Sequence, residues 1–232
     1  MASYHGIVHH GIAHPAQRSQ LAVARTAPRD DLESMTNDLA ASFLERSRYY
    51  LGLEYPGKIR LALTAMPADR LWHRANASSN SAGNLVLHLA GNVRQWIVSG
   101  VGGAPDVRHR DAEFAARDGA ALDPLLATLE SACADAVAVF DRLDAAALAE
   151  SRLIQGRRTT VFAAIYHVVE HFSGHTGQLI MMAKAAAPHG GVRFYDDTGG
   201  LARPLFLPAG MSDAPAPTTV PSHPVGGTGT LQ

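Results

Sequence analysis

Cysteine is almost missing from this chain, since Cys133 stands alone among 232 residues. A single cysteine excludes an intramolecular disulfide framework and any zinc site built from several thiolates. It is also what a protein of a reducing compartment typically shows. We therefore expect Cys133 to serve packing, and any metal site to be built from other side chains.

An excess of charge is missing as well. Lys and Arg together number 20 and Asp and Glu number 21, for a formal net charge of -1. Domains that bind nucleic acid normally carry a basic patch, and those for single strands interleave it with aromatic side chains. No such cluster stands in this sequence. We therefore expect a small-molecule substrate and no nucleic-acid partner.

Long hydrophobic runs are missing too, and none approaches the roughly 18 residues that cross a bilayer. Residues 1–31 also lack the continuous apolar stretch of about 7 to 15 residues that marks a secretory signal. These absences predict a soluble, cytoplasmic protein with no membrane partner. Apolar residues nevertheless make up 47% of the chain, which is enough for one sizeable core.

Both ends of the chain lack a sustained hydrophobic period. Residues 1–33 contain His5, His9, His10 and His14 among Gly, Ala and Pro, and we interpret them as a poorly structured extension. Flexible ligands lose entropy when they are ordered, so we expect no specific metal site there. Residues 203–232 are rich in Pro, Gly, Thr and Ser and are predicted to form a tail. One domain, 34–202, lies between these ends.

Within this domain, apolar residues recur at helical spacing in four segments. The segments run from about Ser34 to Ala65, Ser81 to Ser99, Asp123 to Leu143, and Thr159 or Thr160 to Ala187. Pro56 interrupts the first, and we expect a kink or break near Tyr55 because proline removes a backbone donor. Strand alternation is weak, and only residues 152–155 indicate a short extended piece. The pattern predicts an all-α fold, a four-helix bundle.

The segment between the second and third helices, from Val101 to Gly119, is rich in charge and glycine. We interpret it as a long connection. A long connection permits a crossover to a non-adjacent or parallel helix, whereas a short one joins antiparallel neighbours.

Three histidines follow one another at intervals of four in the last helical segment: His167, His171 and His175. Side chains four apart lie on one face of a helix, so two neighbouring imidazoles can converge on one ion. All three cannot, because they span nearly 12 Å of helix rise while metal–nitrogen bonds measure about 2.0 to 2.1 Å. The spacing leaves two pairs open, His167 with His171 or His171 with His175.

A further ligand must come from elsewhere, and His88 stands among leucines in the second helical segment. At about 100° per residue, Asn92, Gln95 and Ser99 fall within about 40° of its direction. Buried polar groups need partners, so a polar column in an apolar helix indicates a wet cavity. We predict a three-histidine metal site between two helices. The residues expected to line its cavity are Asn92, Gln95, Ser99 and Gln178.

Two motifs resemble those of the DinB/YfiT-like metalloenzyme superfamily. They are the sequence GNLVLHLAGN at 83–92 and the sequence HFSGHTGQ at 171–178. The resemblance is greatest to the branch whose first metal histidine lies in a His-Leu-Ala-Gly-Asn motif. Also similar are Trp72, Gly156 and the pair Phe194-Tyr195. The resemblance therefore covers about 34–197.

The resemblance implies that His88, His171 and His175 hold the metal and that His167 lies beside the site. It implies a bundle of up-up-down-down order, which agrees with the long connection after Gly103. It also implies an enzyme of the thiol-linked transferase or isomerase kind, with a low-molecular-weight thiol such as bacillithiol or mycothiol as cosubstrate. Zinc, nickel, iron and manganese all accept imidazole ligands, so the identity of the divalent transition metal stays open.

The catalytic residue is unassigned, with Glu170 and His167 as candidates. The Glu170 side chain points about 100° away from His171 around the helix, and it is a candidate to orient a ligand or to act as a base. Arg94 is a candidate for binding an anionic substrate. Metal-assisted hydrolysis is an alternative reaction, and a bundle that binds metal or a small ligand without catalysis is another alternative. A homodimer is compatible with the wide apolar surface of a bundle.

Overall fold

The computed structural model describes residues 29–187, 191–196 and 202–211. By their internal contacts, 1–35 and 36–232 form two units. The described part of the first unit is the start of one helix, and the second unit contains the helix bundle and every candidate site residue. The four N-terminal histidines and most of both predicted tails lie outside the described residues, so the proposed domain limits stay a prediction.

Helices make up most of the described chain, which confirms the all-α prediction. The α-helices are α1 (Arg29–Tyr49), α2 (Tyr55–Thr64), α3 (Ala82–Val93), α4 (Arg110–Ala115), α5 (Leu122–Phe140), α6 (Ala145–Ala149) and α7 (Val161–Ala186). Two π-helical segments, Tyr50–Glu54 and Arg94–Val101, and a 3-10 turn, Ala68–Arg70, complete them. Strands β1 (Ser151–Ile154) and β2 (Arg157–Thr160) pair antiparallel, as do β3 (Tyr195–Asp196) and β4 (Arg203–Pro204).

Near Tyr55, where a kink or break is predicted, the first helical segment passes from α-helix to π-helix and back to α-helix. The π-helical segment joins α1 to α2, and the flanking Tyr49 and Tyr55 both keep right-handed helical backbone angles. Pro56 lies in the first turn of α2, where a missing backbone donor is tolerated best. The wider π-helical turn therefore accommodates the proline, and the chain stays helical through Tyr55.

Helix α3 is capped by Ser81, the residue directly before its first turn. The Ser81 hydroxyl accepts a hydrogen bond from the Asn84 backbone N–H at 3.1 Å, and the Asn84 side chain accepts one from the Ser81 backbone N–H at 3.1 Å. This reciprocal capping box fixes the first turn. Helix α3 then packs against α4, α5 and α7, which explains its apolar character on several sides.

Helix α7 begins directly after the β1–β2 hairpin. The Thr160 side chain caps it by accepting a hydrogen bond from the Ala163 backbone N–H at 3.1 Å. Val168, Phe172 and Leu179 are fully buried, whereas Tyr166 on another face is 60% exposed. The helix is therefore amphipathic and places one face against α2 and α3.

The extended piece predicted at 152–155 is confirmed as β1, but the sequence analysis missed β2. The turn between them consists of Gln155 and Gly156, which have φ angles of 52° and 74°. A two-residue hairpin turn with both φ angles positive matches the right-handed twist of the strands. Glycine adopts this backbone freely and glutamine rarely does.

The connection from Val101 to Gly119 contains a helix that the sequence analysis did not predict. Helix α4 contacts α3. The Asn84 Nδ2 donates to the carbonyl oxygens of Glu113 at 2.8 Å and Ala116 at 2.9 Å. The first turn of α3 therefore anchors α4. The up-up-down-down order of the four long helices stays a prediction.

Two further expectations concern the core and the chain end. Cys133 is buried, and its burial raises the pKa of the thiol to about 12. The thiol therefore stays protonated at neutral pH and packs as a small apolar side chain. Part of the predicted tail packs on the bundle, because Phe206 and Leu207 are buried in a cluster with Tyr49. A Cβ added to Gly57 would lie 2.1 Å from the Phe206 carbonyl oxygen, so this contact requires glycine. The described helices include none long and apolar enough to cross a membrane.

Candidate metal centre

Three histidine rings converge between α3 and α7. The Nε2 atom of His171 lies 3.2 Å from the Nε2 atom of His88 and 3.2 Å from that of His175. One ring nitrogen from each residue lies within 4.8 Å of the others. Two nitrogens that bind one ion at tetrahedral angles stand about 3.3 to 3.4 Å apart. The spacing of this cluster therefore fits a metal ion.

The Nδ1 atoms of the three histidines give a second test of whether the cluster suits a metal ion. A neutral imidazole that binds metal through Nε2 carries its proton on Nδ1, so Nδ1 needs a hydrogen-bond acceptor. His175 Nδ1 lies 2.8 Å from Gln178 Oε1, and His88 Nδ1 lies 3.1 Å from Glu113 Oε2. Both partners accept such a proton. His171 Nδ1 is buried and has no partner among the described residues. Two of the three rings thus have an acceptor suited to the metal-binding tautomer.

Burial is the main reason that His171 and His175, the two histidines of the cluster on α7, stay neutral. Burial, together with the neighbouring His175 and His88, lowers the pKa of His171 to about 3. Burial also lowers the pKa of His175, although its hydrogen bond to Gln178 opposes the shift. Metal ligation requires neutral imidazole. At neutral pH, protons therefore do not compete for these two rings.

His167 lies beside the cluster and does not join it. Its ring centroid is 5.7 Å from that of His171 and 4.3 Å from that of Trp96, against which it packs. Burial lowers the pKa of His167, although the nearby Glu170 opposes the shift. Of the two pairs that the spacing left open, the structure brings His171 and His175 to His88. The other candidate, Glu170, is exposed on α7.

Glu113 and Arg108 form an ion pair behind His88 that the sequence analysis missed. Arg108 Nε and Nη2 donate to the two carboxylate oxygens of Glu113 at 2.7 and 2.8 Å. Arg108 Nη2 also lies 3.0 Å from His88 Nδ1. Burial acts to raise the pKa of Glu113, but hydrogen bonds from Arg108 and His88 outweigh it and hold that pKa below its usual range. A buried carboxylate and a buried guanidinium therefore meet at one ligand.

Gly91 explains how this ion pair can approach α3 so closely. A Cβ added at this position would lie 2.0 Å from Glu113 Oε1 and 3.0 Å from Arg108 Nε. No side chain fits into that space. The His-Leu-Ala-Gly part of the motif thus combines a ligand with the clearance for the groups that contact it. A glycine inside a helical segment often indicates that another group packs closely against the helix. Gly91 is therefore the sequence feature from which the contact with Glu113 and Arg108 could have been inferred.

The residues of the predicted polar column differ in their hydrogen-bond partners. Gln95 accepts a hydrogen bond from Arg108 Nη1 at 2.9 Å and donates to Asp106 at 2.7 Å. The Ser99 hydroxyl donates to the Ala104 carbonyl at 2.6 Å and thus holds the following loop. Asn92 is buried, and its Oδ1 has no hydrogen-bond partner among the described residues.

The remaining two predicted cavity residues differ in their surroundings. Gln178 touches His175 and also lines a cavity of about 570 Å³, together with Met66, Leu85 and Met182. Arg94 pairs with Asp135 at 3.0 Å and bonds Ser131 at 3.1 Å on α5. The structure therefore places Gln178 at the site and directs the Arg94 guanidinium toward α5.

Comparison with known proteins finds similar solved structures and one matching family model. Two solved structures are similar: a DinB-like protein from Bacillus cereus and a DinB-like protein from Bacillus subtilis. The first is 14% identical with a TM-score of 0.47, covering 65% of this chain and 95% of its own. The second is 17% identical with a TM-score of 0.46, covering 64% of this chain and 99% of its own.

A search of curated proteins finds no match. A family model described as "Protein of unknown function (DUF1572)" matches residues 38–189, which is more than half of the chain and contains all three converging histidines. The matched region also contains Arg108 and, in α4, its partner Glu113. The chain therefore belongs to the DUF1572 family, within the DinB/YfiT-like superfamily that its two motifs resemble.

Proposed function

We propose that this protein is a divalent-metal-dependent enzyme that transfers a low-molecular-weight thiol to an electrophilic substrate. The convergence of the Nε2 atoms of His88, His171 and His175 carries this proposal. A divalent transition metal held there supplies a Lewis acid with positions open to water, thiol or substrate. The chemistry of the donor set leaves the choice among zinc, nickel, iron and manganese to experiment.

The charge of the donor set favours a thiol as the co-reactant. The pKa of His171 is lowered to about 3 and that of His175 is also lowered, so these ligands bring no charge at neutral pH. Glu113 brings a carboxylate, but its charge is matched by Arg108. A donor set without net negative charge leaves the positive charge of a bound ion uncompensated and favours an anionic ligand. A thiolate is such a ligand and is also a strong nucleophile.

The reaction balances without any further co-reactant. The thiol loses its proton to solvent or to a base, its sulfur forms a bond to an electrophilic carbon, and the leaving group departs with the bonding electrons. His167 is the candidate base, because burial lowers its pKa and it lies about one helical turn from His171. The cavity of about 570 Å³ beside Gln178 has a largely apolar lining that suits the organic part of a substrate.

The test uses the metal-free protein loaded separately with each of the four metals. Bacillithiol and mycothiol are each supplied with monochlorobimane, and mass spectrometry measures the conjugate formed as chloride leaves. We expect conjugation that requires the metal and is lost in His171→Ala. The matched control is His109→Ala, an exposed histidine outside both the cluster and the lining of the cavity beside Gln178. Absence of conjugation with every thiol and metal contradicts the proposal.

Metal-assisted hydrolysis is the second candidate, and the half-buried His167 favours it. Its depressed pKa keeps this imidazole neutral and able to accept a proton from water near the cluster. A panel of esters and amides, assayed with the same metal-loaded protein, separates the two reactions. Hydrolysis that is lost in His167→Ala while metal content stays constant supports this candidate. Binding of metal and ligands without turnover of any substrate supports a non-catalytic bundle instead.

A further inference from the structure

We infer that Glu113 is a positioning residue that holds His88 in the tautomer whose Nε2 lone pair faces the metal site. This inference rests on the proposed metal site, and it adds a role for a residue outside the three histidines. It is based on the position of His88 Nδ1, which lies within hydrogen-bonding distance of both an acceptor and a donor. His88 Nδ1 lies 3.1 Å from Glu113 Oε2 and 3.0 Å from Arg108 Nη2.

The two neighbours favour opposite tautomers of His88. A guanidinium can only donate, so a hydrogen bond from Arg108 requires a bare Nδ1 and puts the ring proton on Nε2, where it blocks ligation. A carboxylate can only accept, so a hydrogen bond to Glu113 requires a protonated Nδ1 and leaves the Nε2 lone pair free. The neighbour that forms the hydrogen bond with Nδ1, the Arg108 donor or the Glu113 acceptor, thus decides whether His88 can bind metal.

The surroundings favour the carboxylate. Arg108 Nη2 has the His88 carbonyl oxygen within 3.5 Å as a further acceptor, and its other hydrogen bond goes to Glu113 at 2.8 Å. A protonated Nδ1 has Glu113 as its one acceptor among the described residues. In the Nδ1–H tautomer Arg108 therefore loses only its hydrogen bond to Nδ1 and keeps two acceptors for Nη2, whereas Nδ1–H needs the carboxylate.

The chain holds this carboxylate in place from two sides. The backbone carbonyl of Glu113 accepts a hydrogen bond from Asn84 at 2.8 Å, which ties α4 to the first turn of α3. Gly91 leaves the space into which the carboxylate fits, since a Cβ there would lie 2.0 Å from Oε1. Glu113 is also only 9% exposed, so water does not replace it readily. A simple surface ion pair between Glu113 and Arg108 would need none of these constraints.

The experiment measures the tautomer of His88 directly. Nitrogen-15 NMR of the metal-free protein distinguishes Nδ1–H from Nε2–H imidazole, and chelator competition with zinc and cobalt measures affinity. We expect His88 to be Nδ1–H in the natural chain. Glu113→Gln should shift it toward Nε2–H and weaken metal binding about 10- to 100-fold, the usual effect of losing such a partner.

Two further variants separate positioning from folding. Glu113→Gln leaves the buried Arg108 without its carboxylate, so Glu113→Gln combined with Arg108→Gln removes both charges and tests the tautomer without a stranded cation. Glu130→Gln is the matched control, because Arg60 holds Glu130 in the same two-pronged way, at 2.7 and 2.8 Å, on the surface. The control should change neither the tautomer nor the metal affinity.

Three results would overturn the inference. The first is an Nε2–H tautomer of His88 in the natural metal-free protein. The second is natural metal affinity in the double variant, and the third is a melting temperature that falls while tautomer and affinity stay constant. A natural protein that binds no metal contradicts the proposed function instead, and its NMR spectrum still decides the role of Glu113.

Discussion

The two helices that supply the histidines hold them by different means. On α3, His88 is 5% exposed and its Nδ1 faces an ion pair from a distant segment of the chain. On α7, His171 and His175 are half-buried; the first has no Nδ1 partner among the described residues, and the second bonds an exposed glutamine three residues along. The α3 ligand therefore depends on tertiary contacts, whereas the α7 pair depends mainly on the helical repeat.

This difference shows how one site combines two kinds of support. Residues four apart on one helix stay aligned as long as the helix persists, so the α7 pair needs little else. A ligand from another helix must be brought to that pair by packing and oriented by its own partners. The α3 side therefore carries the capping box, the glycine clearance and the buried ion pair.

Removal of the shared ligand is expected to have the largest effect. His171 Nε2 contacts the Nε2 atoms of both other histidines, so His171→Ala leaves two rings without the ligand between them. We expect the metal retained after gel filtration to fall from about one equivalent per chain toward zero, as measured by elemental analysis. His109→Ala, at an exposed histidine, is the control and should retain its metal. Full metal content in His171→Ala would show that the cluster is not the binding site.

A pair of glycine substitutions gives the sharpest test of the difference between α3 and α7. In Gly91→Ala the new Cβ would meet the Glu113 carboxylate at 2.0 Å, and overpacking of this kind costs about 1 to 3 kcal/mol. In Gly177→Ala the Cβ meets nothing within 4 Å. Alanine is the better helix former, so this substitution should stabilise α7 by about 0.5 to 1 kcal/mol.

Urea unfolding of the two glycine variants measures both free energies, and chelator competition adds the metal affinities. We expect Gly91→Ala to weaken metal binding as well, because it displaces Glu113, and Gly177→Ala to leave it unchanged. Equal effects of the two substitutions would remove the contrast between the helices.

The pH dependence of stability tests the α7 side. The pKa of His171 is lowered from 6.5 in the unfolded chain to about 3 in the folded one, chiefly by burial. The unfolded state therefore binds more protons between these values, and stability present above pH 6.5 is lost as pH falls toward about 3. Urea unfolding of the metal-free protein at several pH values should show this decline. His171→Gln, which cannot titrate there, should show a shallower decline, and an unchanged slope would contradict the assignment.

The smallest effect is expected at Gln178. Its Oε1 accepts from His175 Nδ1 at 2.8 Å, but the glutamine is exposed, so water can take its place in Gln178→Ala. We expect metal affinity to fall only a few-fold, clearly less than in Glu113→Gln, where the usual loss is about 10- to 100-fold. The same competition assay compares the two variants. A larger loss at Gln178 than at Glu113 would reverse the proposed roles of the two helices.

The sequence predicts the parts of the fold that follow from local pattern. The helical periods of α3, α5 and α7 and the caps at Ser81 and Thr160 can be recognised because each depends on residues within a turn or two. Helix α4 could not be recognised, since six residues are too few to show a period. Glu113 and Arg108 therefore read as charges of a connecting loop.

The metal ligands, too, could be predicted from the sequence only in part. Helical spacing reduces the three histidines of α7 to an adjacent pair that includes His171, because rise and bond length are local quantities. The selection of His175 over His167 came from resemblance, and the structure agrees by placing His167 against Trp96. Arg94 is engaged with Asp135 on α5, a contact between residues 41 positions apart that no local pattern indicates.

The sequence by itself thus determined that this protein is helical and that His171 and a neighbour four residues away share one helix face, because both follow from the geometry of a single helix. Only the tertiary structure decided that α4 packs against α3, that Gly91 leaves space for Glu113, and that a carboxylate and a guanidinium meet at His88 Nδ1. These contacts join segments distant in the chain, and packing of the whole bundle is what brings them within hydrogen-bonding distance.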